Sequence, residues 1–230
     1  LRSIDWEKCI GCGLCFKSCS FDVYRLNTHQ EKAAPCSAGC PAGTDMRSYL
    51  HLLQQGRHAE AAAELLQYNS LPLLTSRVCP HFCEKVCTRK KIDAAVNIPA
   101  LEDYLGHWIL DHAPALPDIS RAGDIAVIGS GAAGLAAAYF MRLRGCNVTV
   151  YEKEKTPGGR FRASIPADLL AAQTAWLKDC GITFVTETAV GDKEAVTVRS
   201  LRKACTKAVI IATGRHTAEQ FASVVDIIDG

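Results

Sequence analysis

The stretch DIAVIGSGAAG, residues 124–134, decides the fold of the second half of the chain. The apolar run IAVI predicts a buried strand, and residues 132–144 predict a helix directly after it. Between them lies the pattern G-x-G-x-x-G, whose glycines permit a tight turn and a close approach of the backbone to a pyrophosphate. The helix N-terminus offers amide groups to that anion. The pattern predicts a dinucleotide site formed by Gly129, Ser130, Gly131, Ala132, Ala133 and Gly134.

Alternating strands and helices extend this unit. Residues 147–152, NVTVYE, predict a second strand that ends in Glu152, where a carboxylate can accept hydrogen bonds from ribose hydroxyl groups. Lys153 is expected beside it in the same site. A helix over 168–180 and strands over 182–187 and 207–214 continue the alternation. This order is typical of a parallel sheet with crossover helices, so we predict an α/β, Rossmann-like domain.

A compact cysteine run opens the chain, with the spacing Cys9-x2-Cys12-x2-Cys15-x3-Cys19. This is the spacing of bacterial ferredoxins, in which one tight loop places each thiolate on a different iron. It predicts a [4Fe–4S] cluster, with zinc as the weaker alternative. Ser20 stands where a proline usually follows. Cys19 either completes its own cluster or reaches a neighbouring one, and the sequence leaves both open.

A second set of cysteines lies farther along the chain. It consists of Cys36-x3-Cys40-Pro41 and, about forty residues later, Cys79-Pro80-x2-Cys83-x3-Cys87. Predicted helices over 44–56 and 58–69 separate the two groups, and a third covers 98–112. Thiolates from distant loops that converge on one place favour a buried cluster, with structural zinc as the alternative. We expect these helices to frame the cysteines without forming a large core of their own.

This second region carries a family resemblance. The segments APCSAGCPAGTDMRSYL, RVCPHFCEKVC and NIPALEDYL resemble the N-terminal iron–sulfur domain of the glutamate synthase small subunit family, which is similar to domains of dihydropyrimidine dehydrogenase and of electron-bifurcating ferredoxin:NADP oxidoreductase. The resemblance implies that Cys40, Cys79 and Cys83 bind one cluster with Glu102 as the fourth ligand. The alternative for Glu102 is a solvated helix face.

The same resemblance leaves the second cluster of the family open. It would use Cys36, Cys87 and an upstream CxxC pair, but no such pair stands a few residues before Cys36. Either the Cys9–Cys19 run supplies the missing ligands or one family cluster is lost. Nine cysteines cover two clusters with one thiol to spare, so we expect two [4Fe–4S] clusters.

Three segments of the second half resemble the FAD site of this family. They are the glycine loop, the segment Pro157-Gly158-Gly159-Arg160 and the strand end Ala212-Thr213-Gly214. The resemblance implies that the dinucleotide is FAD. The family has a second G-x-G-x-x-G domain for NADPH, which this sequence does not contain, so we expect NAD(P)H to react only through a partner or a missing domain.

Composition limits the remaining alternatives. The net charge of +2, with acidic and basic residues interspersed, argues against nucleic acid as a partner, and no apolar run reaches the length of a membrane span. Nothing suggests secretion, so we expect a cytoplasmic protein in which twelve cysteines do not form a disulfide framework. Cys146, Cys180 and Cys205 are expected to be small core residues.

The predicted organisation is a ferredoxin-type segment (1–32), a helical iron–sulfur domain (33–115) and an FAD-binding Rossmann-like domain (120–230), with a linker around Pro114, Pro117 and Gly123. The predicted function is an electron-transfer oxidoreductase subunit that passes electrons between FAD and [4Fe–4S] clusters, to or from a partner subunit or ferredoxin. The cofactors carry the chemistry, so no acid–base catalytic residue is expected. The alternatives are a non-catalytic wiring or assembly module and a zinc-stabilised NAD-binding protein.

Overall fold

The computed structural model describes residues 34–112, 116, 118–119, 123–204 and 206–214. The predicted ferredoxin-type run, with Cys9, Cys12, Cys15 and Cys19, lies outside these residues, as does Cys205.

The first half is helical. Its helices are α1 (Pro35–Ala38), α2 (Met46–Gln54), α3 (His58–Leu66), α4 (Pro72–Val78), α5 (Phe82–Lys85) and α6 (Ile98–Asp111), with a 3₁₀ turn at Thr88–Lys91. Helix α2 begins after Asp45, whose carboxylate accepts a hydrogen bond from the amide of Ser48 at 3.3 Å. Helix α6 begins after Asn97, whose side chain accepts one from the amide of Ala100 at 3.1 Å. The three helices predicted from the sequence correspond to α2, α3 and α6.

Helix α4 was not predicted from the sequence, and it follows a turn that the Asn69 side chain stabilises. The Asn69 side chain accepts a hydrogen bond from the amide of Leu71 at 3.2 Å and donates one to the Thr75 hydroxyl at 2.8 Å. Pro72 occupies the first turn of the helix, where the missing amide hydrogen costs nothing. The helix ends at Cys79, whose backbone is extended.

Helices α4 and α6 pack very closely. A Cβ atom on Gly106 of α6 would lie 2.6 Å from the backbone nitrogen of Leu73 in α4, so only glycine fits there without movement. Leu65, Leu73 and Leu105 are fully buried around this contact. The helices thus hold more of a core than the sequence predicted. That core is continuous with the core of the second half, because α4 and α6 both contact helix α8.

The second half is a parallel α/β unit. Its elements are β1 (Asp124–Ile128), α7 (Ala132–Leu143), β2 (Asn147–Tyr151), a 3₁₀ turn (Gly159–Ala163), α8 (Ala167–Asp179), β3 (Ile182–Val185), α9 (Val198–Lys203) and β4 (Thr206–Ile211). The strand order is β3-β2-β1-β4, and every neighbouring pair is parallel. The chain crosses from the β3 edge to β4 on the other side of β1. The carboxyl ends of β1 and β4 therefore form a topological switch point, where such sheets bind ligands.

Strand β1 is buried on both faces, which explains its unbroken apolar sequence. Ile125 and Val127 face the large core shared with the helices, whereas Ala126 and Ile128 pack in a second cluster with Leu201 of α9. Helix α9 was not predicted. Its start is fixed by reciprocal hydrogen bonds between Thr197 and Ser200, a capping box in which serine replaces the usual Glu or Gln.

Two further sequence predictions are answered in this half. Cys146 and Cys180 are buried core residues, as expected. Among the described residues, no helix combines the length and the apolar character that crossing a bilayer requires.

Candidate functional site

The turn between β1 and α7 can be made only with glycine at two of its positions. Gly129 has a φ of +96°, and a Cβ atom there would lie 2.6 Å from the carbonyl oxygen of Ala212 in the strand-end segment after β4. A Cβ atom on Gly134 would collide with the carbonyl oxygen of Gly129. Gly131 differs, because its φ is −69° and nothing lies within 4 Å of its Cβ position. That open side is where a ligand can approach the backbone.

The N-terminus of α7 faces this open side. Ala132 and Ala133 are exposed, and no acidic side chain stands in the first turn of this twelve-residue helix. The free amide groups and the positive end of the helix dipole therefore favour an anion such as a pyrophosphate. The geometry suits the role that the sequence predicted for this loop.

Glu152 lies at the end of β2 and is buried, with 5% of its surface exposed. One carboxylate oxygen accepts hydrogen bonds from the Ser130 amide at 3.0 Å and from the Ser130 hydroxyl, and the other accepts one from the Glu154 amide at 3.0 Å. Burial by itself would raise the pKa of Glu152, but these hydrogen bonds and the positive charge of Arg162 lower it below its usual value. Glu152 is thus an ionised carboxylate that also braces the glycine loop, a role the sequence did not reveal.

The segment after the second strand folds back onto the glycine loop. The amide of Gly158 donates hydrogen bonds to the carbonyl oxygen of Ser130 at 3.1 Å and to its hydroxyl at 3.0 Å. A Cβ atom on Gly159 would lie 2.8 Å from the Cα atom of Gly131. Both glycines have positive φ values, +124° and +52°. The glycine pair therefore forms one wall of the dinucleotide cradle.

The remaining predicted residues lie around the same cradle. The amide of Ala212 donates a hydrogen bond to the Ile128 carbonyl oxygen at 2.8 Å, which holds the end of β4 beside the glycine loop. Thr213 and Gly214 follow and are exposed. Lys153 and Arg160 are also exposed on their segments next to Glu152 and Gly159. Segments far apart in the sequence thus converge at the switch point of the sheet.

The cysteines of the helical half form a second candidate site. Cys36 lies in α1 and Cys83 in α5. These two short helices pack against each other, which brings together the cysteine groups of residues 36–40 and 79–87. A Cβ atom on Gly39 would lie 3.0 Å from a side-chain methyl carbon of Val86, which shows how close the approach is. Cys83 is buried and Cys79 is exposed. The other predicted ligands of this set, Cys40 and Cys87, are half-buried free thiols.

Within the described part of the chain, no three side chains of His, Cys, Asp or Glu gather closely enough to hold one metal ion. A [4Fe–4S] cluster has a different requirement, since each ligand binds its own iron and the ligands stand farther apart.

Glu102 belongs to this second site. It lies in the second turn of α6 and is 8% exposed, so the alternative of a solvated helix face is wrong. Burial raises the pKa of Glu102 to about 7, and only the nearby Tyr49 hydroxyl acts in the opposite direction. Among the described residues, no basic side chain contributes to that pKa. A carboxylate buried without a cation is costly, and a metal ligand is one role that removes the cost.

The surroundings of the Cys83 thiol also raise its pKa. Burial raises its pKa to about 11, the Glu84 backbone lowers it, and the nearby Glu102 and Cys79 raise it further. Among the described residues, no basic side chain lowers the pKa of either Cys83 or Glu102. An iron centre would supply the missing positive charge and deprotonate the thiols, so the donor set fits an iron–sulfur cluster.

Sequence reasoning missed two side chains at this site. The hydroxyl groups of Tyr49 and Ser37 are buried, and neither has a hydrogen-bond partner among the described residues. Tyr49 is fully buried in α2, and Ser37 is 7% exposed between Cys36 and Cys40. The position of Ser37 between two cysteines was readable from the sequence, but its burial and the approach of Tyr49 to this site were not.

Comparison with known families agrees with both sites. Residues 28–113 match the family model described as dihydropyrimidine dehydrogenase domain II, 4Fe–4S cluster. Residues 127–176 match that of an NAD(P)-binding Rossmann-like domain, and residues 2–25 match that of a 4Fe–4S binding domain. The chain is therefore an iron–sulfur protein with a Rossmann-like dinucleotide-binding domain.

Three curated relatives are similar to most of the chain. The chain is 33% identical over 190 residues to the NAD-dependent dihydropyrimidine dehydrogenase subunit PreT of Escherichia coli, a match to 79% of this chain and 45% of the relative. It is 32% identical over 198 residues to the NADPH–Fe(3+) oxidoreductase subunit beta of Geobacter sulfurreducens, covering 81% and 29%. It is 31% identical over 216 residues to the NADP(+)-dependent formate dehydrogenase subunit beta of Moorella thermoacetica, covering 81% and 30%.

These matches confirm the resemblance to dihydropyrimidine dehydrogenase seen in the cysteine motifs of the chain. The chain spans less than half the length of these curated relatives.

Proposed function

We propose that the chain is an electron-transfer subunit that holds FAD at the glycine loop and two [4Fe–4S] clusters at its cysteines. One observation carries the proposal: the buried acidic pair Cys83 and Glu102, whose pKa values no described basic side chain lowers, shares one continuous core with the dinucleotide cradle. When bound, a flavin exchanges electrons singly or in pairs, whereas an iron–sulfur cluster exchanges one at a time. The role of the protein is to hold the two sites at a fixed separation.

The residues proposed to hold FAD are those that line the cradle. The α7 N-terminus receives the pyrophosphate and Glu152 the ribose hydroxyl groups, while the Gly158–Gly159 wall and the strand end after β4 enclose the rest. The close fit of the glycine pair onto the glycine loop favours FAD, because this pair marks the resemblance to flavoproteins. The full proposed set is Gly129, Ser130, Gly131, Ala132, Ala133, Gly134, Glu152, Lys153, Gly158, Gly159, Arg160, Ala212, Thr213 and Gly214.

The cluster ligands are proposed in two groups. Cys40, Cys79, Cys83 and Glu102 hold one cluster, and the burial of Glu102 beside Cys83 supports this set. The second cluster takes four ligands from six candidates, which are Cys36, Cys87 and the ferredoxin-type cysteines Cys9, Cys12, Cys15 and Cys19. A carboxylate ligand is harder than a thiolate, so the two clusters should differ in potential.

The fixed separation follows from the shared core. Helix α4 ends directly before Cys79, and helix α6 carries Glu102. Both helices contact α8, which covers the sheet of the nucleotide-binding half. The two halves thus meet through packed side chains. This arrangement suits passage of electrons between the sites without movement of the halves.

We propose that a partner subunit or ferredoxin exchanges electrons with the chain, and that NAD(P)H reacts through a partner or a further domain. The relatives support this, since three of them are named as subunits. We place the protein in the cytoplasm, where its thiols remain reduced. In the alternative of a wiring module, the chain is not catalytic by itself and connects a catalytic subunit to an external ferredoxin.

Two matched variants test the proposal on the full chain purified without oxygen. Cys83→Ala should lose roughly half of the iron and keep the flavin, because it removes a buried ligand of one cluster only. Gly129→Val should lose the flavin and keep the iron, since the side chain would collide with Ala212. Cys146→Ala, which removes a buried thiol of the other half, is the control and should keep both. If Cys83→Ala retains all of its iron, the proposed ligand set is wrong.

A further inference from the structure

The Tyr49 hydroxyl is a polar group in the middle of the core. Tyr49 is 0% exposed, and its hydroxyl makes no hydrogen bond with any described residue. Buried tyrosine hydroxyls nearly always find a partner. An acceptor that becomes available at this place would satisfy the hydroxyl.

The surroundings of the hydroxyl indicate where that acceptor is. Burial is the main cause that raises the pKa of Tyr49, and the negative charges of Glu102, Cys83 and Cys36 raise it further. The hydroxyl thus faces three proposed ligands, and Glu102 has the largest effect among them. The carboxylate and the hydroxyl are close enough for each to shift the pKa of the other, although their contact does not have the geometry of a hydrogen bond in this structure.

The tyrosine ring is held firmly. Helix α2 starts at the Asp45 cap, four residues before Tyr49, and Met46 on the same helix face is also buried. A side chain fixed in this way can orient a neighbour, because it has no freedom to turn towards solvent.

We propose that Tyr49 is a positioning residue of the cluster site, and that its hydroxyl donates a hydrogen bond to the Glu102 carboxylate once that carboxylate binds iron. The inference rests on the proposed function, because it needs the cluster. An ionised carboxylate only accepts hydrogen bonds, so Tyr49 must be the donor. The bond fixes the carboxylate that completes the ligand set, much as partners of metal-bound histidines do.

The hydrogen bond has an electronic consequence. It withdraws negative charge from a ligand, which stabilises the more negative, reduced form of the cluster. Tyr49 should therefore raise the reduction potential of the cluster that Glu102 binds. The other cluster should be unaffected.

The experiment is a redox titration of the full chain, followed by electron paramagnetic resonance. Tyr49→Phe removes only the hydroxyl oxygen and should lower one cluster potential by about 59 mV, which is a tenfold change for a one-electron couple. Tyr139→Phe is the matched control, because Tyr139 is also buried but stacks on Trp176 in the nucleotide-binding half. It should leave both potentials unchanged.

A double-variant cycle identifies the acceptor. In a Glu102→Gln background, where the anionic acceptor is gone, Tyr49→Phe should shift the potential far less than in the wild type. A shift of equal size in both backgrounds would overturn Glu102 as the acceptor. Equal shifts from Tyr49→Phe and Tyr139→Phe would also overturn the inference, since they would indicate general loosening.

Two further outcomes separate the inference from the proposed function. Wild-type protein without iron would overturn both, whereas full iron content with an unchanged potential in Tyr49→Phe would overturn the inference alone. If Tyr49→Phe does not assemble, 3-fluorotyrosine inserted at position 49 keeps the hydroxyl and strengthens it as a donor. That substitution should raise the potential, and an unchanged or lower value would overturn the inference.

Discussion

Glu102 at the cysteine site and Glu152 at the dinucleotide site are both buried carboxylates, but their surroundings shift their pKa values in opposite directions. Glu152 is surrounded by hydrogen-bond donors that lower its pKa, whereas burial raises the pKa of Glu102 to about 7. Glu152 has its hydrogen-bond donors within the protein and braces the glycine loop. Glu102 lacks a charge partner among the described residues, as expected for a ligand whose metal binds later.

Ser130 should be a stability determinant of the dinucleotide cradle. Its hydroxyl donates to Glu152 and accepts a hydrogen bond from the amide of Gly158, so Ser130→Ala removes two buried interactions, one of them with a charged group. We expect a loss of about 2 kcal/mol in the free energy of unfolding, measured by urea denaturation. Ser164→Ala, at an exposed position, is the control and should change it by less than about 0.5 kcal/mol. A loss no larger than that of the control would contradict the bracing role.

Glu152 should give the nucleotide-binding half a specific pH dependence. Its folded-state pKa is lowered, so its contribution to stability is present above the unfolded pKa of about 4.3 and is lost as the pH falls through the folded value. Unfolding free energies measured between pH 6 and pH 3 (about the titration range of carboxylates) should fall less steeply in Glu152→Gln than in the wild type. Glu154→Gln, an exposed neighbour, should keep the wild-type slope. Identical slopes in all three proteins would contradict this assignment.

At the scale of elements, the sequence predicted what periodicity and capping determine. The helices predicted over residues 44–56 and 98–112 are α2 and α6, and the apolar run of residues 125–128 predicted a buried strand. Four short helices, α1, α4, α5 and α9, were missed for physical reasons, and α1 and α5 have only four residues each. Helix α4 has seven residues, too few to show a helical period, and α9 is a six-residue helix that depends on its Thr197 cap.

The contact between α4 and α6 should control both stability and cluster binding. Gly106→Ala would place a methyl group 2.6 Å from the Leu73 nitrogen and push the helices apart, with a cost of about 1–3 kcal/mol. Because α4 leads into Cys79 and α6 carries Glu102, the iron content should fall as well. Gly191→Ala is the control, since its added Cβ would have only an ordinary contact of 3.5 Å with Glu194. Denaturation curves and iron analysis that match the control would contradict this role.

At the scale of the whole molecule, the cofactor-bearing segments were predictable but their burial was not. Cysteine spacing and the glycine loop are local signals that remain visible in one sequence. Contacts between distant segments create the continuous core through α4, α6 and α8. The same contacts bury Glu102 and the Tyr49 hydroxyl, which has no hydrogen-bond partner among the described residues. No local pattern encodes such contacts. These tertiary features are what link the two sites.

The central claim is that one chain holds both FAD and iron–sulfur clusters. The most direct measurement is the iron, sulfide, flavin and zinc content of the full chain purified without oxygen. Two [4Fe–4S] clusters and one flavin predict about eight iron and about eight sulfide per chain, together with about one FAD and no zinc. Colourless protein that contains stoichiometric zinc and no flavin would contradict the account.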